Sequence, residues 1–299
     1  LWVTNNAAGV RTNSVFNFAW GTLETLHGSR VEYPHGWFDI GTESNQTALW
    51  LVDGGTNSVV TMAGTGVRLG VDAGDRGELV VRGIGTLWTN NNHLAVGYGG
   101  QHSRLVVSNG AVAVSQTGVV GYAAGWSNRA LVEGAGSVWS NLSELWVGKG
   151  GWGNSLVVSN GGVVYDQAAV VGLEGASSNN TALVTGAGSL WTNAGTLTVG
   201  ATGAWNNVTV SNSGRVTVGS VLTVGEAAGA TGNVLTVEGG LLTVTNGGGA
   251  GAIVVGRDGG GTFDFSGGSV WADTLWVTNN AAGVRTNSVF NFAWGTLET

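Results

Sequence analysis

The chain has 299 residues, of which 55 are Gly and 14 are Trp, with one Pro, one Met, no Cys and a formal net charge of -7. Glycine at nearly a fifth of the chain, against a usual ~7%, demands special backbone geometry again and again, while 42% hydrophobic residues exclude a disordered tail or a collagen. Without Cys there is neither a disulfide framework nor a thiolate metal site, and Lys149 as the only lysine leaves no basic face to neutralise a nucleic acid.

Residues 1–25, LWVTNNAAGVRTNSVFNFAWGTLET, contain two short apolar runs, 1–4 and 15–18, that read as strands. No secretion signal or initiator Met opens the chain, which reads as a processed product or an excised piece. Residues 26–77 depart from the pattern of the rest. They open with LHGSRVEYPHGWFDIGTESNQ, are dense in ionisable side chains and hold the single Pro, so they read as irregular coils with a lateral loop excursion. Within them Tyr33, His35, Trp37 and Asp39 suggest an aromatic and acidic patch able to stack on a sugar ring and accept its hydroxyl hydrogen bonds; packing against the scaffold is the alternative. Asp72, Asp75 and Arg76, with Asp53 if it lies one coil away, are the best group for cleaving a polysaccharide, and a solvated turn held by an Asp-Arg pair is the alternative.

From residue 78 to 274 one template of about 26 residues recurs: a short apolar run, a turn, a second run, then a third ending in Val-Gly, as in LVVSNGAVAVSQTGVVGYAAGWSNR from Leu105 and ALVTGAGSLWTNAGTLTVGATGAWNN from Ala182. The first turn is held by Gly54, Gly83, Asn109, Gly134, Asn160, Gly186, Asn212, Gly239 and Gly267, the residue types that best tolerate positive φ. A second column, Gly97, Gly121, Gly148, Gly172, Gly200, Gly225 and Gly256, closes the third run. Between them stands an aromatic column of Trp88, Trp139, Tyr165 and Trp191, with Val114 and Thr217 at intervening positions. Turned inward it is core; turned outward, the expectation adopted here, it is a platform for glycans or a lateral seam. Runs of three to five Val, Leu, Thr and Trp residues between such turns are strands. Strands that return every 26 residues or so without a hairpin partner predict an all-β parallel solenoid with three short strands per coil, right-handed by the general chirality of parallel crossovers.

Residues 275–299 repeat residues 1–25 letter for letter, at an offset of 274. They read as the start of the next copy of a super-repeat of about ten coils, roughly 48 Å long at about 4.8 Å per coil. No capping helix or Pro protects either extremity, so the open ladders should pair with more of the same protein, as tandem copies or stacked protomers. The four His residues show no metal-ligand spacing, the faint Gly-Asp pattern around Asp258 and Asp264 occurs once, and Gly, Asn, Thr and Ser interrupt every apolar stretch too often for a spanning helix.

The motifs LVVSNGGVV, ALVTGAGSLW and LTVGATG resemble the repeats of autotransporter passenger and filamentous-haemagglutinin-type surface proteins, from about Leu79 to Gly261. The resemblance implies a right-handed parallel β-helix outside the cell, serving as stalk, adhesin or fibre; none of the family's catalytic motifs is carried over, and no cofactor is implied. The expectation is therefore an extracellular structural filament whose partners are copies of itself, with a glycan-binding adhesin second and a polysaccharide lyase or hydrolase third.

Overall fold

A strand of four residues that must turn a corner cannot fill its backbone hydrogen bonds within its own coil, so it pairs with its equivalent one coil away. The computed structural model describes residues 16–26, 30–33, 36–54, 59–62, 65–278 and 287–299, and shows this arrangement throughout. Its strands join in one sheet by parallel pairing, with no helix among the described residues, and hence none long and apolar enough to cross a membrane. The chain is a β-solenoid whose coils of about 26 residues build three ladders.

The first ladder starts at Gly21–Leu26 and continues through Thr47–Asp53, Arg76–Arg82 and Arg104–Ser108. The second includes Val138–Asn141, paired to 112–115 and 163–165, and the third Glu144–Val147, paired to 118–120 and 168–171. Long strands such as Leu190–Val199 pass from the second ladder into the third around a shallow bend. At the sharper corners the backbone is left-handed: Gly83, Asn109, Gly134, Asn160, Gly186, Asn212, Gly239 and Gly267 all have positive φ, as do the seven glycines from Gly97 to Gly256 that close the third run.

Alternation along each strand sends one set of side chains into a dry core. Trp88, Trp139 and Trp191 are fully buried there, which corrects their expected outward placement. Their true column is Trp88, Ala113, Trp139, Val164, Trp191 and Val216, so Tyr165, Val114 and Thr217 belong one residue away, and Tyr165 alone of the predicted aromatic set faces out. Large and small residues alternate along this column, Trp with Ala or Val. Each of several indoles reaches back one coil with its N–H: Trp50 to Thr25 Oγ1 (3.0 Å), Trp139 to Ser115 Oγ (3.2 Å) and Trp191 to Asp166 Oδ2 (2.7 Å).

The corner between the third and first ladders carries a second interior device. Asn128, Asn154, Asn180, Asn206 and Asn233 are buried and stacked one per coil. The backbone N–H and Nδ2 of Asn154 both donate to Asn180 Oδ1 (2.9 and 3.0 Å), Asn180 repeats this onto Asn206 (3.0 and 3.0 Å), and Asn180 Nδ2 also donates to Gly151 O (3.1 Å). The amide side chains thus carry hydrogen bonding from coil to coil where a turn interrupts strand pairing. Glycine in the closing column is a steric requirement of this ladder: a Cβ on Gly148 would collide with the Asn180 amide, and Gly97, Gly121, Gly172 and Gly200 face Asn128, Asn154, Asn206 and Asn233 in the same way.

The described strands of residues 26–77 pair within the stack, and the loop stretches between them, where a lateral excursion is expected, lie partly outside the described residues. Arg30–Tyr33 and Val59–Met62 pair in the second ladder, and Trp37–Ile40 and Gly66–Leu69 in the third. Their charges are accommodated on the outside by pairing across coils: Arg68 with Asp39 and Arg82 with Asp53. The strand expected at 1–4 lies outside the described residues.

The identical segments at the two extremities are threaded differently. Ten pairing steps along the first ladder carry Thr22 to Val289, whereas its sequence twin is Thr296, which lies in the second ladder opposite Ser269. Likewise 16–18 pair in the third ladder with 38–40, while their twins 290–292 pair in the first with 263–265. The period-two pattern makes both threadings acceptable, because Leu23 packs against the core in one and Leu297 in the other. A repeat of 274 residues therefore spans ten coils and about one strand more.

The Asn ladder and the glycine column form one mechanical unit, which a double-mutant cycle isolates. Asn180→Ala strands the buried amide of Asn154 and should cost about 3 kcal/mol. Gly148→Ala should be severely destabilising alone but less so by at least about 1 kcal/mol in the Asn180→Ala background, leaving the strain of a positive φ. Urea midpoints of the four proteins measure this, and strict additivity would contradict it.

Candidate functional site

The left-handed glycine that closes each third run also governs the exterior. It turns the chain so that the next side chain lies back over the outer face of the third ladder. In successive coils that position holds Tyr98, Tyr122, Lys149, Leu173, Ala201, Glu226 and Arg257. Ala95 and Val119 face outward by alternation and are nevertheless buried, Ala95 beside Tyr98 and Tyr122.

Over five coils these side chains and the outward residues of the third ladder build an axial stack of aromatic rings and cations. The Arg68 guanidinium lies 4.8 Å from the centroid of Trp37 and 4.9 Å from that of Tyr98. Tyr98 stacks on Tyr122 at 4.8 Å with an interplanar angle of 8°. Lys149 Nζ sits 4.2 Å over the Tyr122 ring and 4.9 Å from that of Trp146, and donates to Tyr122 Oη at 3.0 Å. The faces of the two tyrosines are thus taken by each other and by the flanking cations, which leaves their edges for other contacts.

Beside the stack lies a cavity of about 350 Å³, lined by Trp37, Asn92, His93, Tyr98, Tyr122 and Lys149 among others. Nδ1 of His93 is buried with no hydrogen-bond partner. Burial first, and the nearby charge of Lys149 second, hold the His93 pKa below its ordinary value, against the opposing pull of Glu144. A second, smaller stack decorates the corner before the first ladder, where Trp126 and Trp152 lie parallel at 5.1 Å and His102 meets Trp126 edge-on.

The residues expected to bind are only partly brought together. Trp37 lines the cavity, but Asp39 is turned away from any ligand: its buried carboxylate accepts from Arg68 Nε and Nη2 at 2.7 and 2.6 Å. Burial alone would lower the Arg68 pKa, yet the Asp39 carboxylate more than offsets this and holds it above the ordinary value. His35 and the side chain of Tyr33 lie outside the described residues. The carboxylates suggested for polysaccharide cleavage do not converge. Asp53 pairs with Arg82, and Asp75 is buried as the cap of its own turn, accepting from Asp72 N at 2.9 Å and Ser44 Oγ at 3.3 Å. Among the described residues no three His, Asp or Glu side chains gather as a metal-binding group.

Tyr98, Tyr122 and Lys149 carry the site and were not singled out by sequence reasoning. Their signal is positional, since each directly follows a glycine of the closing column, as VGY, VGY and VGK.

Among the described residues one ionisable group, Asp166, lies inside the solenoid. Asp166 stands opposite Asn193, at the polar corner that Asn90, Ser115 and Asn141 occupy in earlier coils. Burial raises its pKa to about 7, only partly countered by the hydrogen bond from Trp191, and its Oδ1 has no hydrogen-bond partner. No protein-family model, curated protein or solved structure matches the chain.

The raised pKa makes stability depend on pH in a stated direction. Between the unfolded value near 3.8 and the folded value of about 7, the native state holds more protons than the unfolded one. Stability should therefore fall as pH rises through that window, by up to on the order of 4 kcal/mol, and level off above it. Asp166→Asn keeps an acceptor for Trp191 and should remove most of this slope between pH 4.5 and 7.5 in thermal melts; an unchanged slope would contradict the assignment.

Proposed function

We propose that the chain is an axial segment of an extracellular structural fibre, a β-solenoid whose ladders are continued by further copies of itself. One observation carries the reading. At both extremities the inward side chains are only partly covered, Phe18 and Leu23 at one and Leu275, Phe290 and Leu297 at the other. Among the described residues no strand pairs with the outer edge of Val289–Glu298, where Phe292 and Trp294 are 51% and 65% exposed. An open parallel ladder with a half-covered core recruits another strand of the same pattern, and the sequence at that place is a second copy of residues 1–25.

The resemblance of the coil motifs to autotransporter passenger and filamentous-haemagglutinin-type repeats supports an extracellular setting. A content of 10% charged residues favours close lateral packing of such rods. Mechanically, extension would have to break the backbone ladders, the Asn ladder and the core of many coils at once, which suits a load-bearing or protease-resistant element.

The two threadings of the repeated segment give the fibre a distinctive symmetry. If copies follow one another in this way, each is displaced by ten coils and about one strand more, a rise of roughly 50 Å with a rotation of about a third of a turn. Cryo-electron microscopy of concentrated protein should show filaments with that rise and rotation. Single particles of one chain's mass at every concentration, with no axial association, would contradict the proposal.

A further inference from the structure

The geometry points to a binding site for an acidic saccharide, one bearing a carboxylate on a hydroxyl-rich ring, in the cavity between Trp37 and Lys149 on the outer face of the third ladder. The inference is independent of fibre formation, because every lining residue belongs to coils in the first half of one chain.

The wall is of mixed character. Trp37 and Ala95 supply apolar surface, and Asn92, His93, Tyr122 and Lys149 supply polar groups. Such a mixture suits a sugar ring, with its apolar C–H patches and its rim of hydroxyls, better than a purely apolar ligand. Its volume of about 350 Å³ is at the lower end for small-molecule sites.

Charge selects the class of saccharide. Among the described residues no Asp or Glu lines the cavity, while Lys149 does. Among the described residues Lys149 forms no ion pair, unlike the charges that neutralise each other elsewhere on the exterior, such as Asp39 with Arg68 and Glu78 with Arg104. It is held instead by two rings and the Tyr122 hydroxyl. An ammonium set against aromatic faces retains N–H bonds for a carboxylate. One cation amid several neutral hydrogen-bonding groups fits one negative charge per sugar unit. It does not fit nucleic acid, which needs a row of cations.

Titration calorimetry with the whole chain tests the site, using an alginate oligomer as the uronate probe, a maltooligosaccharide of equal length as the neutral sugar, and acetate as the free carboxylate. The alginate oligomer should bind, with the maltooligosaccharide and acetate each at least tenfold weaker. Lys149→Met, which retains the aliphatic stem over Tyr122, should lower alginate affinity about tenfold or more while leaving the thermal melt close to that of the parent. Tyr122→Phe should lower it less. Arg215→Ser, an exposed cation on a distant coil, should leave it unchanged. The proposal is overturned if no alginate binding is seen, if acetate or the neutral sugar binds equally well, or if Arg215→Ser weakens binding as much as Lys149→Met.

Discussion

Each strand of this protein is too short to be stable by itself and is aimed so that its backbone donors and acceptors point up and down the axis. Pairing with the coil on either side is therefore the condition for every other feature. Where strands run, the ladders satisfy that condition. At the corner before the first ladder the backbone turns away, and the buried amides of Asn128 to Asn233 take over, with Asn154, Asn180 and Asn206 each accepting from the coil before and donating to the coil after. The space those amides need excludes a Cβ at the closing glycines, so the abundance of glycine follows in part from a hydrogen-bonding requirement.

The same glycines shape the surface. A left-handed residue at the end of each third run lays the following side chain back over the ladder, and nothing in the core depends on what that side chain is. Tyr98, Tyr122 and Lys149 make a stack of rings and charge there, whereas Glu226 and Arg257, at equivalent positions further along, make an ion pair at 3.3 Å. The interior is thus constrained coil by coil, and the exterior column is free to carry chemistry. This explains why the candidate site sits on the solenoid's flank instead of on a loop that projects from it.

Much of the fold could be read in the sequence because positive φ restricts residue choice so tightly. Asn109, Asn160 and Asn212 share a column with glycines for that reason, and the period and the three runs follow from the columns. Other features were hidden by physical ambiguity. Trp191 and its neighbour Leu190 face opposite sides, and a one-residue error in aligning successive coils hid which side is core; the alternation of Trp with Ala or Val blurred the column further. The Asn ladder was masked because Asn in a Gly-rich turn reads as a turn former, although Asn180 acts through its side chain and Asn160 through its backbone. The charges of residues 26–77 suggest a departure from the stack, yet they are compatible with the in-register strands described there, because Arg68 and Asp39 neutralise each other across coils. The function of the flank was not legible at all, since it depends on which side chains share a face in space.

Amide hydrogen exchange resolved by residue tests the dependence of the fold on coil-to-coil hydrogen bonding most directly. The backbone N–H groups of Asn128, Asn154, Asn180 and Asn206, each held by the side chain of the next coil, should be among the slowest to exchange, as slow as the central strands 156–158 and 182–184. Should they exchange as fast as Gly175 and Gly247, in open turns, the amide column would be an ornament of the corner and the account of the fold given above would fail.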